Sequence, residues 1–280
     1  MLSQGAQRVG AKFGRQEGRA WNDFHPLICH MLDVAAVAEQ IWDNVLPPVT
    51  RGRVANAFGA ADDTAARSWV AFLAGLHDLG KSCPLWQQKF DRQHWKERLA
   101  EFLPCREVRQ RDPGHGAVTA RVVESLLTTR FGVSEWMAWS LAEVLGGHHG
   151  YFPESFEDAC GWTIGEAARD EREAWDDVRT ELFDALAQLT GVGGSELAAQ
   201  KLGNADAMLL AGLVCVADWI GSADGFFAYD PSGASDLQVY QAKARTNARG
   251  ALERLGWLNE PRVPELPSFR DLFEFEPRPL

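Results

Sequence analysis

Residues 69–82 read WVAFLAGLHDLGKS. From Trp69 to Leu76 the stretch carries no charged side chain, and a helix that is apolar on every face is buried on every face. His77 and Asp78 follow side by side, and Gly80-Lys81 ends the run. A carboxylate carried into such a core is costly unless it is paired or bound to a cation. The adjacent imidazole points to a metal, because imidazole and carboxylate together suit divalent transition ions.

The rest of the chain supplies helices to surround that stretch. Residues 1–24 are Gly-rich and mixed in charge and read as an irregular lead-in. A helix is expected from about Pro26 to Trp42, with Pro26 in its first turn. Its apolar stripe is Leu27, Met31, Val34, Val37, Ala38 and Ile41, with His30 inside it, and Pro47-Pro48 ends it. Thr64 is read as the start of the organising helix, which runs to about Gly80. Gly114-His115-Gly116 opens another, with Val122 and Leu126 inward. Ser134 caps one that reaches Leu145, and Gly146 to Gly150 form a glycine-packed turn holding His148 and His149. Trp175, Val178, Leu182, Leu186 and Leu189 mark an amphipathic helix closed by Gly191. Ala205 to Ile220 form a second fully apolar helix, broken only by Asp218 near its end. Asp236 caps the last, with Leu237, Tyr240, Ala244, Ala248, Leu252 and Leu255 inward and Gly256 closing it. No run alternates in the manner of strands, so the fold class is all-α.

Between these helices, residues 83–112 show no clear pattern. They hold Lys89, Arg92, Lys96, Arg98, Arg106, Arg109 and Arg111 among several acids. This cluster is either a DNA-facing loop or a solvated insertion with balancing charge. Trp86 is the candidate for an exposed base-stacking residue, whereas Trp69 and Trp175 are expected in the core.

The 280 residues suffice for one large domain or two small ones. Hydrophobic content of 46% and charged content of 24% are those of a globular protein. A net charge of −11 means that any nucleic-acid contact is local, since the overall field repels phosphate. Five cysteines without a CxxC pair read as reduced thiols of a cytoplasmic protein. The N-terminus has no signal-peptide core, and the longest apolar run, Ala207 to Ala217, is too short to span a bilayer.

One competing motif lies in the organising stretch itself. Gly75 to Ser82, GLHDLGKS, fits the phosphate-loop pattern, and LVCVAD at 213–218 resembles the strand that accompanies it. Three features oppose a phosphate-loop ATPase. Asp78 would set a carboxylate against the anion, Pro84 disfavours the helix the lysine should begin, and no Ile/Val-rich strands alternate with helices.

Taken singly, the remaining candidates have plain structural readings. His30 is a core histidine, Asp218 an Arg partner, His148-His149 an exposed turn, and Lys81 a solvated side chain after a helix end. Their order along the chain, H…HD…H…HH…D, resembles that of the HD phosphohydrolase superfamily, an all-α metal fold. The stretches HPLICHMLDVAAVAE (25–39), LAGLHDLGK (73–81), GHGAV (114–118), GGHHG (146–150) and ADWIGS (217–222) are similar to the HD nuclease domain of the type I CRISPR-associated nuclease–helicase. The resemblance implies an HD-domain helical bundle over residues 25–260 with a buried metal site. It also implies a linker at 261–280 leading toward a helicase module that this chain lacks, so the chain is a stand-alone HD protein or an excised domain.

By the same resemblance His30, His77, Asp78 and Asp218 hold one metal, and Asp78 bridges to a second held by His115, His148 and His149. Asp78 and Lys81 are the catalytic residues. The implied reaction is hydrolysis of single-stranded DNA by a metal-activated water. The implied partners are a helicase in cis or in trans and a crRNA-guided surveillance complex, with no membrane. The number of imidazoles favours one or two divalent transition ions, Mn, Fe, Co, Ni or Zn, over Mg. Two alternatives share the metal site: an HD-type nucleotide phosphohydrolase, and a non-catalytic metal-stabilised docking module.

Overall fold

A computed structural model describes residues 1–13, 24–92, 94–107, 114–150, 169–194 and 196–258. At its centre lies α2 (Leu27–Asn44), in which 15 of 18 residues are buried, so neighbours cover it on all sides. Those neighbours are α4 (Asp63–Leu76), α10 (Asn204–Gly221) and α11 (Leu237–Arg254). α7 (His115–Phe131) and α8 (Glu135–Gly146) form a helical hairpin that closes one end, against the turn after α4 and against α10. α9 (Arg169–Thr190) packs on α4. Trp69 and Phe72 of α4, Phe131 of α7 and Phe183 of α9 form an aromatic knot with ring centroids 5.0–5.8 Å apart, edge to face except for the tilted Phe131–Phe183 pair. The all-α expectation holds, with one short exception.

That exception is in the expected lead-in. Gln4–Arg8 is a helix, α1, capped by Ser3, and Gly10–Phe13 is a strand, β1. β1 pairs antiparallel with β2 (Phe24–Pro26) in the register Gly10↔Pro26, Lys12↔His25, Phe13↔Phe24. The pairing partner lies across residues 14–23, so no local periodicity announces it. Pro47-Pro48 ends one helix and also starts another, α3 (Pro48–Phe58), with proline at its first position.

The organising helix is shorter than expected. Asp62, not Thr64, sets its start, accepting from the Ala65 amide. It stops at Leu76, and the chain tightens into a 3₁₀ turn at Leu79–Lys81. Residues 83–107 hold α5 (Pro84–Phe90) and α6 (Trp95–Leu99).

Two expectations for this region are corrected. Trp86 is 5% exposed and packs on Phe13 of β1, so it presents no free face for a base. Arg98 is wholly buried: it pairs with Asp91, donates to Gln87, and lies over Phe13 and Phe24. It therefore anchors the N-terminal strand to α6 and offers nothing to DNA. Arg109 and Arg111, like the segment 261–280, lie outside the described residues.

Smaller shifts follow from helix phase. In α7 Val123 and Leu127 are buried, while Val122 and Leu126 are half-buried. Leu255 is exposed because α11 ends at Arg254 and Gly256 turns the chain at φ +77°. α10, at 18 residues, is long and apolar enough by length and composition to cross a bilayer. Here its inner face packs on α2 and α8, and Asp218 on that face is buried.

Candidate metal centre

Five elements bring the site together. His30 comes from the first turn of α2, and His77 and Asp78 from the end of α4 and the turn beyond it. His115 is the first residue of α7, His148 and His149 follow α8, and Asp218 lies in the last turn of α10. All seven expected ligand positions converge.

Asp78 is the hub, and its two oxygens face opposite ways. Oδ2 lies 3.1 Å from His30 Nε2 and 3.3 Å from His77 Nε2, and also contacts the Lys81 ammonium. Oδ1 lies 3.1 Å from His115 Nε2 and 3.7 Å from His148 Nε2. On the first side Asp218 Oδ1 closes the cluster, 3.3 Å from His77 Nε2 and 3.5 Å from His30 Nε2. On the second, His115 Nε2 is 3.4 Å from His148 Nε2 and 3.1 Å from His149 Nε2. The sets His30/His77/Asp78, His115/His148/His149 and His77/His148/Asp218 each bring their donor atoms within 4.8 Å of one another.

The backbone fixes which nitrogen points inward. His77 Nδ1 sits 2.8 Å from the Ala74 carbonyl and His148 Nδ1 2.6 Å from that of Leu145. Each Nδ1–H donates to its carbonyl, which leaves the Nε2 lone pair facing the cluster. Both His30 nitrogens and His77 Nε2 are buried without a hydrogen bond. Buried polar atoms rarely go unpartnered, and the Nε2 atoms of His30 and His77 both converge on Asp78 Oδ2 and Asp218 Oδ1, an arrangement that a cation among them satisfies. This donor set fits a divalent metal.

Electrostatics agree. Burial alone would discharge His77, yet Asp78 and Asp218 raise it to about 10. Burial, reinforced by the neighbouring His77 charge, pushes His148 down to about 3. Burial and Lys12 lower His30, against the pull of Asp218 and Asp78. Asp78 stays ionised far below the ordinary carboxylate range despite its burial, because Lys81 and His77 face it and the His115 and His30 rings stand against its oxygens. Asp218 shifts the same way, held against burial by His77 and His30.

Three supporting residues were not singled out in the sequence. Thr119 accepts from the Gly80 amide and donates to the His77 carbonyl, tying α7 to the metal-side turn. Ser222 donates to Asp218 Oδ1 at 2.7 Å. Cys215 Sγ donates to the His148 carbonyl. Thr119 lies four residues after His115 and Ser222 four after Asp218, one helical turn in each case. That spacing is the signal that was available. His25 and His94 lie outside the centre. His94 pairs with Glu97, while His25 is buried in a second cluster described below.

Residues 11–227 match the family described as Cas3, HD domain. The chain belongs to the Cas3 HD domain family. A CRISPR-associated endonuclease/helicase Cas3 from Thermus thermophilus is 33% identical over 265 residues, which cover 93% of this chain and 27% of that protein. The chain thus spans about a quarter of the curated relatives it matches. Among solved structures, the Thermus thermophilus Cas3 HD domain determined in the presence of Ni²⁺ superimposes with a TM-score of 0.65 at 28% identity, covering 91% of this chain and 92% of that one. A chain of a CRISPR RNA-guided surveillance complex in a pre-nicking state gives 0.68 at 26% identity, covering 89% and 29% respectively. The helical architecture and the buried His/Asp cluster are those of a Cas3 HD domain, and the phosphate-loop reading of residues 75–82 is set aside: the described residues contain no parallel sheet.

Proposed function

We propose that this chain is a metal-dependent nuclease that hydrolyses phosphodiester bonds of single-stranded DNA in type I CRISPR interference. The observation that carries the reading is the splay of Asp78, with one carboxylate oxygen toward each of two imidazole clusters. Two divalent ions held there would supply the charge and the activated water for attack at phosphorus. His30, His77, Asp78 and Asp218 would hold one, and His115, His148 and His149 the other, with Asp78 shared. Imidazole-rich sites favour Mn, Fe, Co, Ni or Zn over Mg, in keeping with the Ni²⁺ of the Thermus crystals.

The chain's own residues prepare the site. Carbonyls of Ala74 and Leu145 hold His77 and His148 in the tautomer that presents Nε2. Ser222 orients Asp218. Lys81 is 13% exposed at its side chain, reaches Asp78, and is poised to turn its ammonium to a phosphoryl oxygen once Asp78 is otherwise engaged. The relatives' names support a single strand and its delivery: they are endonuclease/helicases, a helicase yields single strands, and a similar chain belongs to a surveillance complex in a pre-nicking state. A helicase module, joined in cis or supplied in trans, and a crRNA-guided complex are the proposed partners.

The test is cleavage of labelled single-stranded DNA by wild type and by Asp78→Asn, each with its metal content measured. Expected are two ions and cleavage for the wild type, with fewer ions and about a hundredfold to thousandfold slower cutting for the variant, in line with losing a central electrostatic group. Full metal content and full rate in Asp78→Asn would refute the reading. Turnover of a nucleotide panel without DNA cleavage would assign the site to nucleotide hydrolysis instead.

A further inference from the structure

Lys12 is the one lysine near the centre that the proposed reaction leaves unused. It sits on β1, opposite His25 of β2, and its half-buried side chain runs to the end of α10. There Nζ donates to the Gly221 carbonyl at 3.3 Å, three residues beyond Asp218. Among the described residues it forms no ion pair. The carboxylates within range of its charge are already engaged. Asp33 is held by His25 and Tyr240, Asp218 by His30, His77 and Ser222, and Asp78 by Lys81 and the imidazoles.

An ammonium has three donors, and one carbonyl uses only one of them. Burying a cation without a counter-ion is costly, and burial does lower the proton affinity of Lys12. The Lys81 charge bears on Lys12, and Lys12 in turn bears on His30. Lys12 thus stands one helical turn beyond Asp218, and Lys81 stands at Asp78, so an anion held at the centre has a cation beside each of the two carboxylates.

We propose that Lys12 is a substrate-binding residue that contacts a phosphate oxygen of the nucleic-acid strand held at the centre, in concert with Lys81. This rests on the nuclease reading above and extends it to a residue of the N-terminal strand. The competing role is purely structural: the Lys12 ammonium caps the C-terminus of α10, where the helix dipole favours a cation.

The experiment uses the 280-residue chain loaded with Mn²⁺, as wild type, Lys12→Met and Lys12→Arg. Binding of fluorescent oligothymidine with uncleavable phosphorothioate linkages is followed by anisotropy across salt concentrations, beside cleavage of the ordinary oligonucleotide, metal content and thermal midpoint. One charge-assisted contact corresponds to about a tenfold to hundredfold loss of affinity. One phosphate contact on a single strand contributes about 0.7 to the salt slope. Lys12→Met is expected to bind that much more weakly and with that smaller slope at unchanged metal content, and Lys12→Arg to restore the slope. Unchanged affinity and slope in Lys12→Met, with only a lower thermal midpoint, would leave Lys12 as a helix cap and overturn the proposal. If the wild type binds the oligonucleotide with a Lys12-dependent slope yet cuts no DNA, the nuclease reading fails and the Lys12 contact stands. If it binds no oligonucleotide at all, both fail.

Discussion

Gly80 is where the two sides of the centre lean on each other. Its amide donates to Thr119 Oγ1 at 2.8 Å. A Cβ added at Gly80 would overlap the His115 carbonyl oxygen and stand 2.5 Å from the Thr119 amide nitrogen, whereas ordinary contact begins near 3.4 Å. Both obstacles are backbone, so no side chain can swing aside. Relieving the Thr119 contact alone requires the first turn of α7 to retreat by about 3.4 − 2.5 = 0.9 Å. His115 heads that turn and its Nε2 is 3.1 Å from Asp78 Oδ1. Metal sites tolerate ligand errors of about 0.2 Å, so a shift several times larger should cripple the His115 side. His30, His77, Asp78 and Asp218 depend on α2, α4 and α10 and should survive. Gly80→Ala is therefore expected to fold with a loss of about 1–3 kcal/mol, typical of overpacking. Affinity for the second ion should weaken by about 10–100-fold, the usual effect of disturbing a ligand's support. Titration calorimetry with Mn²⁺ and elemental analysis read the stoichiometry, and denaturant melts read the stability. A Gly80→Ala protein that takes up two ions with wild-type affinity would refute the coupling between this glycine and His115.

Other predictions concern the scaffold. Asp33 is wholly buried, 2.8 Å from His25 Nε2 and 3.1 Å from the Tyr240 hydroxyl, and locks β2 and α11 onto α2. Asp33→Ala should cost about 3–5 kcal/mol in denaturant melts, and a loss under about 1 kcal/mol would show the cluster to be expendable. Phe72→Ala, in the aromatic knot of α4, α7 and α9, should cost about 3–5 kcal/mol without changing metal stoichiometry at temperatures where the variant is folded. For the metal-free chain, His77 is raised to about 10 by Asp78 and Asp218. Its contribution to stability is then fully present below about pH 6.5 and lost as pH rises toward 10. Thermal midpoints of chelated protein should fall across that window, more steeply than those of His77→Gln; equal slopes would discount the imidazolium.

The centre was legible in the sequence because its chemistry is conspicuous wherever it occurs. Aspartates at the ends of apolar runs, at 78 and 218, and histidines on apolar stripes or in glycine turns each violate the surrounding pattern. What the pattern did not show is what depends on partners distant in sequence. β1 is a strand only because residues 24–26 pair with it, and Trp86 and Arg98 are buried only because β1 and β2 bring Phe13 and Phe24 to them. Without those contacts a Trp after a proline and an Arg among charges both read as surface. The missed second helix after Pro47-Pro48 has a different origin, since proline is as good a first residue as it is a terminator. Leu255 was misplaced because helical phase was carried one residue past the point where the helix stops.

The splayed carboxylate of Asp78 has a thermodynamic corollary. If each oxygen serves a different cation, the two affinities are linked. The factor by which the first ion changes the affinity for the second must equal the factor by which the second changes that for the first. Ordering of the shared aspartate drives that factor toward sigmoidal uptake, and repulsion between the two cations drives it toward a populated half-filled molecule.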